Sequence, residues 1–254
     1  MKTTMMAVPL STNAMLARMD TLFGQSEIIS RLPDKRLVRR SYTEIAGRTR
    51  ALAHALRELG VKKGDCVATL CWNHHVHLEC YFGIPLAGAV MHALNLRLSA
   101  DEIAWIAGHA KDRVLIVDDI LLPLYHQVAE HYQFEKVIVF PFDAEPIPDH
   151  CSNYETLIAP HIGKPFTPEP HDENDPIALC YTSGTTGRPK GVAYSHRSTV
   201  LHTLTASLPY YWGSQGQRCC AGGYADVPRQ LLGHALRRRD DRRGPDHAGP
   251  AFAC

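Results

Sequence analysis

The chain has 254 residues, 45% of them hydrophobic and 21% charged, with a formal net charge of +1. This is enough apolar material for a sizeable core, which excludes a fully disordered chain, and the length suits one large domain or two small ones. The near-zero charge gives no electrostatic footing for binding nucleic acid, and the apolar runs, such as Val137 to Phe140, are too short to span a bilayer.

The first residues, MKTTMMAVPLSTNAM, carry one Lys and no continuous apolar stretch, so no secretory signal is expected. Ser41 and Glu44 have the spacing of a capping box, S-x-x-E. Ile45, Leu52, Leu56 and Leu59 then mark one face of a helix, and Gly60 is placed to stop it. A strand is predicted at Cys66–Leu70, a helix from about His77, and a second strand at Ala89–Leu94. Ser99 and Glu102 repeat the capping box before Ile103 and Ile106. Arg113–Val117 reads as a buried strand, Leu121–His131 as a helix and Lys136–Phe140 as a further strand. Residues 141–176 hold eight of the 17 Pro, which predicts a long surface loop with one short helix at Asn153–Ile158. Ile177–Tyr181 returns to strand. Short apolar strands alternating with helices predict an α/β fold: a mainly parallel sheet with helices on both faces.

The eight cysteines contain no C-x-x-C pair and are scattered through apolar runs, the pattern of a reduced, cytoplasmic protein without structural zinc. His74, His75 and His77 have poor ligand spacing and no nearby acid in sequence, so they read as the exposed start of a helix rather than a metal cluster. Trp72 and Trp105 read as core or rim aromatics.

The segment that carries chemistry follows the strand at 177–181. It runs Tyr181-Thr182-Ser183-Gly184-Thr185-Thr186-Gly187-Arg188-Pro189-Lys190-Gly191-Val192. Its glycines permit positive φ and a close backbone approach to a ligand. Successive N–H groups in such a turn form a nest for an anion, four hydroxyl side chains add donors, and Lys190 adds a compact positive charge. Charge-assisted hydrogen bonds are worth ~1.5–3 kcal/mol each, so three or four of them can hold a polyphosphate. The competing reading is a flexible hairpin turn. The Walker arrangement G-x-x-x-x-G-K-[ST] is absent, because Arg188 and Pro189 separate Gly187 from Lys190, which disfavours a P-loop NTPase.

These twelve positions resemble the phosphate-binding signature of the AMP-forming adenylate-forming enzymes, the superfamily of acyl-CoA synthetases, luciferases and peptide-synthetase adenylation domains. SYTEIAGRTRALAHALRELGVKKGDCVATLCWN is similar to the same family's opening helix, turn and first strand, and HLECYFGIPLAGAVMHALNLRLSADEIAWIAGHAKDRVLIVD to its fatty-acyl-CoA synthetase branch. The resemblance spans about residues 20–213. It implies ATP-dependent activation of a fatty acid to an acyl-adenylate, then transfer to CoA, with Mg²⁺ on the nucleotide. It also implies that Ser183 to Lys190 wrap the β- and γ-phosphates, Ser183, Gly184, Thr185, Thr186 and Gly187 among them. Thr182 would help to hold Mg²⁺, and Lys190 would neutralise departing pyrophosphate. His196 resembles the His of a Ser-His pair after the loop, and is expected to cap a helix or support the site from behind. The expected partners are small molecules (fatty acid, ATP, CoA), without nucleic acid, with peripheral membrane association compatible and the oligomeric state open. An aryl-CoA or other acid-CoA ligase of the same superfamily is the first alternative.

Residues 214–254 depart from this pattern. They carry seven Arg, four Asp and no Lys, Glu or Ile, and show no sustained period of 2 or 3.6. The family's next landmark resembles M-P-M-F-H-V-N-x-W-G-x-P-Y-A-A. Residues 224–238 read YADVPRQLLGHALRR instead, yet their back-translation, moved forward by one nucleotide, permits Met-Pro-Met-Phe-His-Val-Asn-Ser-Trp-Gly-Met-Pro-Tyr-Ala-Ala. The expectation is a partial N-terminal AMP-binding domain over 1–213, followed by a disordered, frame-shifted 214–254. Such a chain lacks the adenine- and ribose-binding segments and the C-terminal domain of the family, and is expected to be poorly soluble and inactive. The alternative from another class is a non-catalytic nucleotide-binding or interaction fragment whose Arg-rich end binds RNA.

Overall fold

A computed structural model of the chain describes residues 8–182 and 188–207. An N-terminal helix α1 (Thr12–Phe23) leads into an antiparallel hairpin, β1 (Glu27–Arg31) with β2 (Leu37–Ser41), paired from Glu27 opposite Ser41 to Arg31 opposite Leu37. Then follow α2 (Tyr42–Glu58), β3 (Cys66–Leu70), α3 (His75–Leu86), β4 (Val90–Ala93), α4 (Ala100–Ala110), β5 (Asp112–Asp118), α5 (Leu122–Ala129) and β6 (Lys136–Phe140). The remainder is β7 (Ser152–Asn153), α6 (Tyr154–Ile158), β8 (Pro176–Thr182), β9 (Lys190–Ser195) and α7 (His196–Ala206).

Seven strands form one sheet in the order β7-β6-β5-β3-β4-β8-β9. All neighbours are parallel except β8 and β9, which make an antiparallel hairpin at one edge. Because side chains alternate along a strand, each central strand feeds two cores. Val67, Val114, Ile116, Ile138 and Phe140 face one core with α1, α2, α3 and α6. Ala68, Leu70, Leu115, Val117, Val137 and Val139 face the other, under α4 and α5. The predicted mainly parallel sheet with helices on both faces is the observed architecture.

Both predicted capping boxes are present. The Glu44 amide donates to Ser41 Oγ at 3.2 Å and the Ser41 amide to Glu44 Oε2 at 2.7 Å; Ser99 and Glu102 repeat the exchange at 3.3 and 3.0 Å. Gly60 follows α2 with φ +83°, a conformation that costs glycine little. Asn153 caps α6 through the Thr156 amide at 3.1 Å. Helix α3 is enclosed on nearly all sides. Its Glu79 is fully buried, and Arg48 of α2 reaches both it and Glu155 of α6 at 2.7 Å, while the Tyr154 hydroxyl donates to Glu79 Oε2 at 2.7 Å. One buried network of charge and hydrogen bonds thus ties three helices together.

The histidine trio corrects the reading of an exposed helix start. Helix α3 begins at His75, two residues earlier than predicted, and all three rings are buried. They point to separate partners: His74 to both carboxylate oxygens of Asp118 at 2.9 and 3.0 Å, His75 to Ser30, and His77 to Thr69. Asp118 is the acid the sequence did not place nearby. It ends β5, adjacent to β3, and also accepts the Trp72 amide at 2.7 Å. The buried His74–Asp118 pair thus ties the segment after β3 to the end of β5.

Candidate active site

In a parallel sheet every strand delivers its C-terminal residue to the same edge, and ligands of α/β sheets collect there. β8 ends at Thr182, and β9 begins at Lys190 on the antiparallel return, so Thr182 and Lys190 are cross-strand partners at that edge. Both are exposed. Ser183, Gly184, Thr185, Thr186 and Gly187, the other predicted phosphate-binding residues, lie outside the described residues. The chain between the two described stems is therefore the hydroxyl- and glycine-rich sequence itself, with a hydroxyl at one stem and an ammonium at the other.

The hairpin is held unevenly. β8 is in register with β4 only at Ala178 opposite Met91 and Leu179 opposite His92. Beyond that, its last three residues pair with β9 alone. Sideways support comes instead from aromatic side chains. The Tyr181 hydroxyl lies 2.5 Å from Nδ1 of His109, on the last turn of α4, and the two rings meet edge-on with centroids 5.8 Å apart. Trp105, one turn earlier, stacks on His109 at 5.1 Å. The guanidinium of Arg188, on the return arm, lies 5.5 Å from the centre of the Trp105 ring. Burial pushes the Tyr181 phenol upward, so it stays protonated at neutral pH. Gly191 sits beneath this ring; a Cβ there would stand 3.1 Å from Tyr181 Cζ. Arg188 lies within the signature, but Trp105 and His109 are not visible in it because they lie on a helix some seventy residues away. Only the i, i+4 spacing of Trp105 and His109 hints that they share a face.

Among the described residues, no group of three or more His, Cys, Asp or Glu could hold a metal ion. A magnesium ion takes oxygen ligands, keeps several waters, and commonly binds through substrate phosphates with few protein ligands. The exposed Thr182 hydroxyl is an oxygen donor of the kind such an ion takes.

His196 is placed elsewhere. β9 runs away from the mouth, and six residues of strand at ~3.3 Å each put His196 at the opposite edge of the sheet. There its Nδ1 lies 2.9 Å from Thr12 Oγ1 and accepts the Thr12 amide at 3.2 Å, joining α7 to α1. The helix cap is Ser195, whose Oγ accepts the Ser198 amide at 3.1 Å. The expected supporting or capping role of His196 is thus replaced by a packing role. A shallow cleft at this edge, lined in part by Lys63, His171, Asp175 and His196, is a strand's length from the mouth.

The five described cysteines, Cys66, Cys71, Cys80, Cys151 and Cys180, are free thiols. Burial raises their pKa values, to about 11 at Cys66 and about 12 at Cys180, so none is poised as a thiolate nucleophile.

Comparison with known proteins gives this geometry a context. A family model described as AMP-binding enzyme matches residues 24–222. A long-chain-fatty-acid–CoA ligase from Thermus thermophilus is 44% identical over 205 residues, covering 81% of this chain and 37% of the relative. A medium-chain-fatty-acid–CoA ligase from Ectopseudomonas oleovorans is 38% identical over 192 residues, covering 73% and 35%. Among solved structures, an anthranilate CoA ligase in complex with anthranoyl-AMP superposes with a TM-score of 0.70 at 26% identity, covering 85% of this chain and 39% of that one. The chain spans little more than a third of the length of these relatives.

Proposed function

The chain belongs to the AMP-binding enzyme family, and from that premise we propose that its β8–β9 mouth grips the terminal phosphates of ATP in the activation of a fatty acid for transfer to CoA. In this reading a carboxylate attacks the α-phosphorus, the α–β bridging bond breaks, and pyrophosphate leaves with the electron pair. The acyl-adenylate then yields its acyl group to the CoA thiol, with AMP as the leaving group. The difficulty is electrostatic, since an anion must approach a polyanion, and fixed donors aimed at the phosphates relieve it. Thr182, Ser183, Gly184, Thr185, Thr186 and Gly187 supply hydroxyl and backbone donors to the β- and γ-phosphates. Lys190 sets an ammonium against the charge that collects on departing pyrophosphate. Mg²⁺, carried on the nucleotide and touched by Thr182, supplies further charge neutralisation.

The observation that supports this reading is the cross-strand pairing of Thr182 with Lys190 at the carboxyl edge of a parallel sheet, with the glycine- and hydroxyl-rich sequence spanning them. The fatty-acid preference is supported by the 44% and 38% identity to ligases named for long- and medium-chain fatty acids. An aromatic acid is the alternative, since a relative of the same fold is named for anthranilate. Calorimetric titration with Mg·ATP and with pyrophosphate tests the site. The parent chain binds both, and Lys190→Ala with Thr186→Ala weakens both by tenfold or more. Equal affinity in parent and double variant, or no affinity in the parent, overturns the reading.

In the same proposal, residues 1–213 are part of an N-terminal AMP-binding domain and 214–254 are read in a shifted frame. The family match runs to residue 222, nine residues past that boundary. DNA sequence across codons 208–225 decides it: an undisturbed frame with no family sequence in the neighbouring frame removes the idea. The 254-residue chain as it stands is then inactive, and pyrophosphate release with any fatty acid would contradict this. A cytoplasmic location belongs to the proposal too. No helix among the described residues is long and apolar enough to cross a membrane.

A further inference from the structure

The mouth of the hairpin has lost its backbone support before it reaches Thr182. The β4 ladder stops at Leu179, and β9 pairs with β8 alone among the described residues. A two-stranded ribbon is marginal by itself in water, yet a phosphate grip needs donors held to within a fraction of an ångström. The β8–β9 ladder spaces the two stems, so something outside the sheet must fix where the paired ribbon sits.

We propose that the Trp105–His109 face of α4 is a positioning platform that clamps both stems of the phosphate-binding hairpin, the outgoing one through Tyr181 and the returning one through Arg188. This rests on the reading of the mouth as a phosphate site. The outgoing stem is fixed by the 2.5 Å contact of the Tyr181 hydroxyl with His109, and the returning stem by Arg188 lying over Trp105. Trp105 and His109 are themselves stacked, with planes 22° apart, so the two clamps share one rigid support. Gly191 leaves room for it, because a Cβ there would stand 3.1 Å from Tyr181 Cζ and the ring would have to shift by a few tenths of an ångström. Arg188 is then committed to the indole, and its effect on a bound polyphosphate is indirect, through the position of Lys190 two residues on. Trp105, His109 and Arg188 are positioning residues, not catalytic ones.

A double-mutant cycle on the 254-residue chain tests the platform by Mg·ATP titration, with amide hydrogen exchange of the hairpin stems as a readout independent of nucleotide. Trp105→Ala and Arg188→Ala are each expected to weaken Mg·ATP binding about tenfold. The double variant is expected to be no weaker than either single one, and Trp105→Phe, which keeps an aromatic face, to recover most of the affinity. Exchange at Tyr181, Thr182 and Gly191–Ala193 is expected to quicken in both single variants, while that of the central strands β3 and β5 stays as in the parent. Two results overturn the platform. One is Arg188→Ala weakening binding while Trp105→Ala does not, which would put the guanidinium directly on the phosphates. The other is stem exchange unchanged in Trp105→Ala and Arg188→Ala alike. Should the parent chain bind no nucleotide, the phosphate reading falls, and the exchange measurement still decides whether α4 clamps the hairpin.

Discussion

Three histidines are buried as neutral rings. Burial, reinforced by the neighbouring His74, holds His75 and His77 down to about 3; burial, with His171 beside it, holds His196 at about 4. In the unfolded chain each titrates near its ordinary 6.5. Between those values the unfolded chain binds more protons than the folded one, so stability rises with pH across this window and falls as pH drops through 6.5. Each ring contributes a slope of about 1.4 kcal/mol per pH unit there. Asp112 and Glu79, which burial pushes upward, act in the opposite sense, so the histidine share is read as a difference between proteins. Urea unfolding between pH 5 and 6.5 is expected to show a steeper loss of stability in the parent than in His75→Gln. The comparison rests on the slope, because the substitution also changes the absolute stability. Identical slopes would mean that His75 is already protonated in the folded chain.

At the scale of elements, the crossing of α2 and α3 is a close joint. A Cβ on Gly83 would lie 2.9 Å from Leu52 Cδ2 and 3.1 Å from the Thr49 carbonyl oxygen. Leu52 is fully buried and the carbonyl belongs to a helix, so neither neighbour can withdraw at low cost. Gly83→Ala is therefore expected to destabilise by about 1–3 kcal/mol despite its better helix propensity, as overpacking does. A thermal midpoint equal to or above the parent's would contradict it. The same helix shows why some elements were legible in the sequence and others were not. α2 and α4 announce themselves through S-x-x-E boxes and a polar outer face. α3 is enclosed on nearly every side, so it has no polar stripe to set its phase, and its three histidines looked like surface. Their burial depends on Asp118, Ser30 and Thr69, all supplied by other strands or loops. In the candidate site, the signature from Tyr181 to Val192 was readable because it is contiguous. The α4 aromatics beneath it were not, because only the fold brings residues 105 and 109 to residues 181 and 188.

The molecule as a whole is asymmetric in how its sheet ends. On one side β7 is a two-residue strand, too short to template further pairing, and α6 follows it directly. On the other side β9 runs six residues, exposed at its first four positions, and pairs with β8 alone among the described residues. Val192 on that strand, and Leu201 and Leu204 on α7, are exposed at 42%, 42% and 58%, and α7 buries only His196 and Thr199. Among the described residues, this is a long strand paired on one side only next to an exposed apolar helix face, the combination that natural sheets blunt with charge. The one charge on this strand, Lys190, sits at its first residue, and the middle of it carries none. Self-association through this edge is therefore expected, with apparent mass rising with concentration in sedimentation velocity. Placing a charge mid-strand with Val192→Lys, and another on the helix with Leu204→Lys, removes the attraction without touching either core. The double variant is expected to sediment as a monomer at concentrations where the parent does not. A parent that is monomeric throughout, or a double variant that associates just as strongly, would show that this edge is not where the chain is adhesive.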